Sequence, residues 1–569
     1  MTAVDRIPVP RSRERLTQTT VATWVLAAVL AVLVVPPLLL LVVGSMTGPE
    51  GDVTVRYFAR VFQDRRLAES LTNSILFALG SATVALVVGG SIAWIVERTN
   101  APLKALAYLT TIISLGTPYV LYVSAWLFLL GKAGPVNSLW RDLTGSTDVL
   151  INVYSLGGMV MVEGFLWSPL VFLLMGATLR NANPELEEAA RMSGATVWET
   201  IRRVTLRLSL PSLLALALLV FIRALEGFEV PALVGLPGRV NVLTTDIFLD
   251  MHARVPPDFG HASAYSVLLL IVVAVLLGFY GRLSRSAERF ATITGKGFRP
   301  RPFDLGRGRF LAAGIVALNF FLLLVAPTAI LVWASFLPFY QTFRVRALSR
   351  LTLHNYEVVL GSTHYLDLVR NTLLIAAGAA TVTMAITLIV GWLAARRRAG
   401  AWLLDQLATV PLVFPGIVLG VAVMQIFLRL PIPIYGTIWI IMWAFVIRYL
   451  PYGMRYSYAG MLQVHRELEE AAGVSGASQF EALRRVVVPL LTPALAAGWL
   501  FIFLLGARVL SLPILLAGPD SQTIAVAMYD LWTNGQGPEL AALGLLWTVL
   551  MTAIAAAFHV FARRNSIAT

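Results

Sequence analysis

Apolar residues in this chain fall into twelve runs, each close to the ~20 residues that a helix needs to cross the hydrocarbon of a bilayer. They cover roughly 20–45, 71–96, 104–131, 156–179, 211–235 and 262–283, then 310–335, 370–395, 403–428, 436–460, 493–517 and 541–562. Most polar intervals between them are short and rich in Gly, Pro and Arg. The pattern predicts an all-α integral membrane protein of about twelve spans.

One polar interval occurs twice. Residues 185–213 read ELEEAARMSGATVWETIRRVTLRLSLPSL and residues 467–495 read ELEEAAGVSGASQFEALRRVVVPLLTPAL. At a constant offset of 282, Glu185 to Ala190 match Glu467 to Ala472, Ser193, Gly194 and Ala195 match Ser475, Gly476 and Ala477, and Glu199, Arg202, Arg203, Val204 and Pro211 also have identical partners. The repetition extends outward: Asn73, Gly80, Ala82, Thr83, Val84 and Trp94 match Asn371, Gly378, Ala380, Thr381, Val382 and Trp392 at an offset of 298. The first half therefore carries 16 extra residues, which fit best in the interval around 132–153. Six spans per half make the halves run in the same direction, so a pseudo-twofold axis along the membrane normal is expected rather than an inverted repeat.

Composition agrees with this architecture. The chain has 569 residues, of which 58% are hydrophobic and 13% charged, and its mean hydropathy is +0.77. A soluble core of this length could not bury so much apolar surface. The net charge of +13 comes mostly from Arg in short polar intervals, which suits loops facing anionic lipid better than a nucleic-acid groove. Arg98, Lys104, Arg396, Arg397, Arg398, both repeated segments, the central connector, Arg563 and Arg564 fall on one side, which the positive-inside bias makes cytoplasmic along with both termini. The first apolar run is too long for a signal peptide and continues through Pro36 and Pro37 without a small-residue cleavage site, so a retained span is expected. The chain divides into a basic tail (1–19), a first half (20–283) with polar loop 185–209, a connector (284–309) and a second half (310–569) with polar loop 467–491. The connector's Gly295–Lys296–Gly297 makes no phosphate loop, since Phe290 stands where the first Gly is required and Gly297 where Ser or Thr would hold magnesium. The absence of Cys excludes disulfides and thiolate metal sites.

Each polar repeat predicts two short helices, with Glu187 one turn from Arg191, Glu199 near Arg202 and Arg203, and Gly194 or Gly476 permitting the turn between them. Such a unit is a rigid acidic knob fit for a groove in another protein. The plainer alternative, a solvated loop on the membrane surface, gives no reason for register to persist through a duplication. Inside the spans, Arg223, Glu226 and Glu229 stand near Pro231, which is expected to unwind span 5, and Arg508 near Pro513 in span 11. Glu226 and Arg508 correspond at the 282 offset, so an approach of the two along the translocation path is expected, either as a gate or as a structural pair. Glu163 and Arg448 are further candidates, and Tyr119, Tyr122, Met159, Met161 and Trp167 either line a passage or simply pack. With six His, no acid or imidazole cluster has the spacing of a tight metal site, so metal ligands are not assigned. Nor do the residues form a nucleophile–base constellation or an intramembrane proton relay, which argues against a membrane enzyme or an autonomous carrier.

The repeats carry the signature of the permease subunits of type I bacterial ATP-binding-cassette importers, the methionine-permease-like fold, which this chain resembles. The second copy matches through Glu470, Ala471, Ala472, Gly476, Val486, Val488 and Pro489, and the first through Glu188, Ala189, Ala190, Gly194, Val204 and Leu206, with Arg207 in place of Pro. The stretches TITGKGFRPRPFDLGRGRF, LEGFEVPALVGLPGRVNVLTT and LWTNGQGPELAALG are most similar to the fused ferric-iron permeases. The resemblance implies a subunit of the bacterial inner membrane, not itself an enzyme, that binds no cofactor. ATP and magnesium would be used by two copies of a cytoplasmic ATPase, one on each polar loop, and an extracytoplasmic solute-binding protein would dock opposite. No nucleic-acid partner is implied. It implies ferric iron as solute, with thiamine, polyamines, aminoethylphosphonate and hexose phosphates as alternatives in the same branch. A scaffold that recruits ATPases without transport is a separate reading, marked by ATPase stimulation without solute movement.

Overall fold

The computed structural model describes residues 18–48, 50–181, 185–289, 302–396, 400–430 and 433–567; most of the basic tail, the middle of the connector, and Arg397 and Arg398 lie outside the described residues. Among the described residues there is no strand, only helices, turns and three isolated bridges. Ten helices among the described residues are long and apolar enough to cross a membrane, and an eleventh follows if the bent pair Ala401–Val413 and Gly416–Arg429 is one span. The expectation of twelve is met only this far. The remaining expected span, 436–460, is a 26-residue helix whose Arg448, Pro451 and Arg455 lower its hydropathy; Arg448 is half-buried and donates to a backbone carbonyl, while Arg455 is exposed.

Element order repeats through the chain. The first half runs α1 (Gln18–Met46), α2 (Arg65–Arg98), α3 (Lys104–Gly116), α4 (Tyr119–Leu130), α5 (Leu156–Asn181), α6 (Glu185–Met192), α7 (Leu206–Leu225), α8 (Leu243–His252) and α9 (Phe259–Arg289). The second runs α10 (Gly308–Phe320), α11 (Thr363–Ala395), α12 (Ala401–Thr409), α13 (Gly416–Arg429), α14 (Ile438–Gln463), α15 (Glu467–Val474), α16 (Val488–Gly506), α17 (Ile524–Thr533) and α18 (Gly537–Ile567). The extra residues of the first half include a surface helix, Pro135–Thr144, between α4 and α5.

Proline decides where the third span of each half breaks. Pro118 and Pro415 lack an N–H and clash with the preceding turn, so α3 gives way to α4 and α12 to α13, the latter pair bent by 108°. Spans 5 and 11 are also interrupted. The expected unwinding at Pro231 lies earlier, since α7 ends at Leu225, and Pro231 opens a following π turn, a position where its missing N–H costs little.

The halves exchange their leading helices. Ala27, Leu30 and Val34 of α1 pack among Val390, Leu393 and Leu404 of the second half, while Ala312 and Val316 of α10 pack among Ile92, Val96 and Phe172 of the first. Cross-half hydrogen bonds fix the rest: Tyr340 Oη donates to Phe128 O at 2.5 Å, and Gln425 Nε2 to Ser263 Oγ at 2.5 Å. The far end of the connector is also seated. Phe303 N–H donates to Arg98 O at 2.7 Å, Asn100 N–H donates to Phe303 O at 3.0 Å, and the Phe303 ring lies under the Arg191 guanidinium at 5.0 Å.

Candidate functional site

Both polar repeats fold alike. In each, a two-turn helix ends in a Gly with positive φ, +88° at Gly194 and +90° at Gly476, a region closed to most side chains. A capping box starts the next helix: Thr196 Oγ1 accepts from Glu199 N–H at 3.3 Å and Glu199 Oε2 from Thr196 N–H at 3.0 Å, and Ser478 and Glu481 repeat this at 3.3 and 2.9 Å. Glu199 thus bonds to Thr196 rather than to Arg202 or Arg203. A π turn then carries each chain into its span, over Ile201–Thr205 and Leu483–Val487. The departure of the first copy at Arg207 leaves no mark on the backbone, because both copies continue directly into helix.

Glu187 does not pair with Arg191. It is buried, 3.6 Å from Arg98 Nε, and accepts from Thr205 Oγ1 at 2.7 Å. Its equivalent, Glu469, accepts from Arg396 Nε at 2.7 Å, Arg396 Nη2 at 2.5 Å and Trp392 Nε1 at 3.1 Å. Arg98 and Arg396 end α2 and α11 and match at the 298 offset, so each knob is pinned by the same acid to the same span end. Sequence reading missed both anchors, although their matched positions, four residues after Trp94 and Trp392, were a usable signal. The remaining motif residues face outward: Ala189, Gly194, Glu470, Ala471 and Gly476 are exposed, and Glu188, Ala190 and Ala472 half-buried. Glu470 pairs with Arg466 at 3.0 Å within its own turn. Beside them stand apolar side chains at equivalent positions, Met192 and Val474 both 90% exposed, Trp198 and Phe480 both 67% exposed. The two knobs thus present large apolar groups to the outside at matched positions.

The second constellation is a buried set of charges where the broken spans meet. Glu226, at the end of α7, pairs with Arg223 at 3.0 Å, not with Arg508 as expected. Their i, i+3 spacing brings the two together on one helix face, whereas Arg508 lies over the Tyr119 ring at 4.5 Å. Glu229 crosses between halves, its Oε1 accepting from Leu510 N–H at 3.1 Å. Glu163 accepts from Trp167 Nε1 at 2.8 Å, and Arg448 Nη1 donates to Phe414 O at 2.9 Å, satisfying a carbonyl freed by the break at Pro415. Arg508 stands over Tyr119, Glu229 bonds two residues beyond Arg508, and Glu163 Oε1 would lie 3.1 Å from a Cβ on Gly227, next to Glu226, so the sequence candidates converge here. Tyr122, stacked edge-on to Trp126, and Met159, wholly buried, belong to packing. Among the described residues no group of three or more His, Asp or Glu is arranged to hold a metal ion.

Residues 85–289 and 387–566, more than half of the chain, match the family described as binding-protein-dependent transport system inner membrane component. The ferric transport system permease protein of Actinobacillus pleuropneumoniae is 26% identical over 87% of this chain and 71% of its own length. A probable ABC transporter permease protein of Sinorhizobium fredii is 28% identical over 89% of both chains. A putative 2-aminoethylphosphonate transport system permease protein of Salmonella choleraesuis is 26% identical over 46% of this chain and 90% of its own.

Proposed function

Because the chain belongs to the family of binding-protein-dependent transport inner membrane components, we propose that it is the permease of an ATP-driven importer, with both halves in one polypeptide. The observation that carries this reading is the pair of matched knobs, each anchored to a span end by Glu187 or Glu469. Their exposed apolar residues supply the docking energy, about 1.5–3 kcal/mol for each large side chain taken fully out of water. One cytoplasmic ATPase subunit seats on loop 185–209 and another on loop 467–491, through Glu188, Ala189, Ala190 and Gly194 and through Glu470, Ala471, Ala472 and Gly476. Closure of the two ATPases on nucleotide moves the knobs, and the ion pairs transmit that movement to α2 and α11. The halves are related by an axis along the membrane normal, so equal displacements at the two loops part the interface between them symmetrically.

The buried charges around Tyr119 form the gate. Glu229, bonded to Leu510 across the interface, closes the path, and Glu163, Glu226 and Arg508 line it when the halves part. A binding protein on the opposite face delivers the solute and sets selectivity, so the permease needs no tight metal site of its own. Ferric iron is the favoured cargo, supported by the Actinobacillus relative, and aminoethylphosphonate is the second, supported by the Salmonella relative.

The test is uptake and ATP hydrolysis in proteoliposomes holding this chain, its cognate ATPase and its binding protein, with ferric iron compared against aminoethylphosphonate, thiamine, putrescine and a hexose phosphate. Iron uptake that disappears with Glu188→Arg plus Glu470→Arg supports both coupling and cargo. Uptake of another solute with the same loss keeps the machine and removes iron. Uptake indifferent to the double variant removes the coupling assignment, and ATPase stimulation without any uptake makes the chain a scaffold.

A further inference from the structure

We propose that the second half binds a phospholipid acyl chain in a cavity on its bilayer face, a site the first half has closed. The two halves differ where their second and fourth spans cross. In the first half, α2 and α5 meet through glycine: a Cβ on Gly164 would lie 2.5 Å from Val84 Cβ, and one on Gly80 would lie 2.8 Å from the Val160 side chain. Such small residues let helix backbones close on one another within a membrane. In the second half the counterpart of Gly164 is Val446, facing Val382 where the first half has Val84, and the counterparts of Gly157 and Met161 are Trp439 and Trp443. The other glycine contact is kept, since a Cβ on Gly378 would run into Met442 Sδ, but at Val446 two β-branched residues face each other where the first half sets glycine against valine, which holds α11 and α14 further apart at this one level.

The gap is a cavity of about 500 Å³. Val382 of α11 and Met442, Trp443 and Val446 of α14 line it, together with Phe427 of α13 and Leu33 of α1. Its lining is aliphatic and aromatic throughout, and water is held poorly by such a lining because it finds few polar partners there. All these residues belong to membrane-embedded helices, and Val382 and Trp439 are 41% and 57% exposed on the outer face of the bundle. The medium at that mouth is lipid tail, so the occupant is an acyl chain entering sideways from the bilayer. Its headgroup also has a contact. Exposed Arg429 ends α13 two residues after Phe427, on the membrane side opposite the polar loops, where a guanidinium meets a phospholipid phosphate.

The experiment reconstitutes the full chain in vesicles of phosphatidylethanolamine and phosphatidylglycerol, with a trace of either lipid carrying a diazirine on its acyl chain, and maps the photolabel by peptide mass spectrometry. We expect severalfold more label on 438–446 than on the matching first-half stretch 156–164, and loss of that excess in Val446→Trp, with label elsewhere unchanged. Equal labelling of the two stretches in the unaltered chain overturns the site and needs no variant to fold. Undiminished label in a folded Val446→Trp protein overturns it as well. With Arg429→Gln, labelling by phosphatidylglycerol is expected to drop severalfold, and unchanged labelling removes the headgroup contact.

Discussion

Asp246 shows how much one side chain can carry outside the spans. It lies on α8, 7% exposed, with Asn241 Nδ2 donating to Oδ1 at 3.3 Å and with Ser70, Asp250 and Asp64 facing it. Burial pushes its carboxyl up to about 6, and the neighbouring acids add to the effect. An acid raised on folding favours the folded state while protonated. The contribution is therefore complete below about pH 4, where the unfolded acid is protonated too, and is lost as pH rises through about 6. The full swing is on the order of 3 kcal/mol, at about 1.4 kcal/mol per unit. Beyond the intrinsic rise of exchange with pH, the protection of α8 should thus fall between about pH 4 and 6, and Asp246→Asn should flatten that fall. An unchanged slope in the variant would assign the effect to another group.

At the scale of the element, the polar knobs are defined by their turns. Gly194 and Gly476 hold φ near +90°, where alanine is strained by about 1 kcal/mol. Gly194→Ala with Gly476→Ala is expected to raise hydrogen exchange across both knobs by about fivefold each, the factor that 1 kcal/mol supplies, and to leave the spans untouched. Exchange that rises throughout the protein would show that the knobs fold only together with the bundle. These elements were legible because their signals are local: a glycine, a capping box and an acidic first turn all act within a few residues. The anchoring pairs were not, because Arg98 and Glu187 are brought together only by the packing of α2 beside the loop. The same holds for Glu226. A correspondence across the duplication suggested Arg508, whereas the i, i+3 geometry of its own helix selected Arg223.

For the molecule as a whole, the bond from Leu510 N–H to Glu229 joins the halves at the level of the buried charges. Glu229→Leu leaves that buried N–H without its acceptor, at a cost of about 1–3 kcal/mol, while Glu229→Gln keeps an oxygen in place. Since the chain has no cysteine, Ser511→Cys supplies a single probe, 4% exposed at the same interface. Maleimide labelling of that probe is expected to quicken about tenfold in Glu229→Leu, as 1.4 kcal/mol of lost closure implies, and hardly at all in Glu229→Gln. Equal rates in the two variants would mean that this bond does not hold the halves together.

The run of apolar stretches, the internal duplication and the acidic knobs are written into the order of residues, because hydrophobic length, repeat register and turn chemistry each depend on neighbours along the chain. The exchange of α1 and α10 between halves, the partners of Glu187, Glu226 and Glu229, and the cavity beside Val446 are not. Each depends on which helix faces reach one another once the spans are packed. In a bilayer that choice follows from small differences in side-chain volume and from the need to satisfy every buried charge, and both are settled between distant segments.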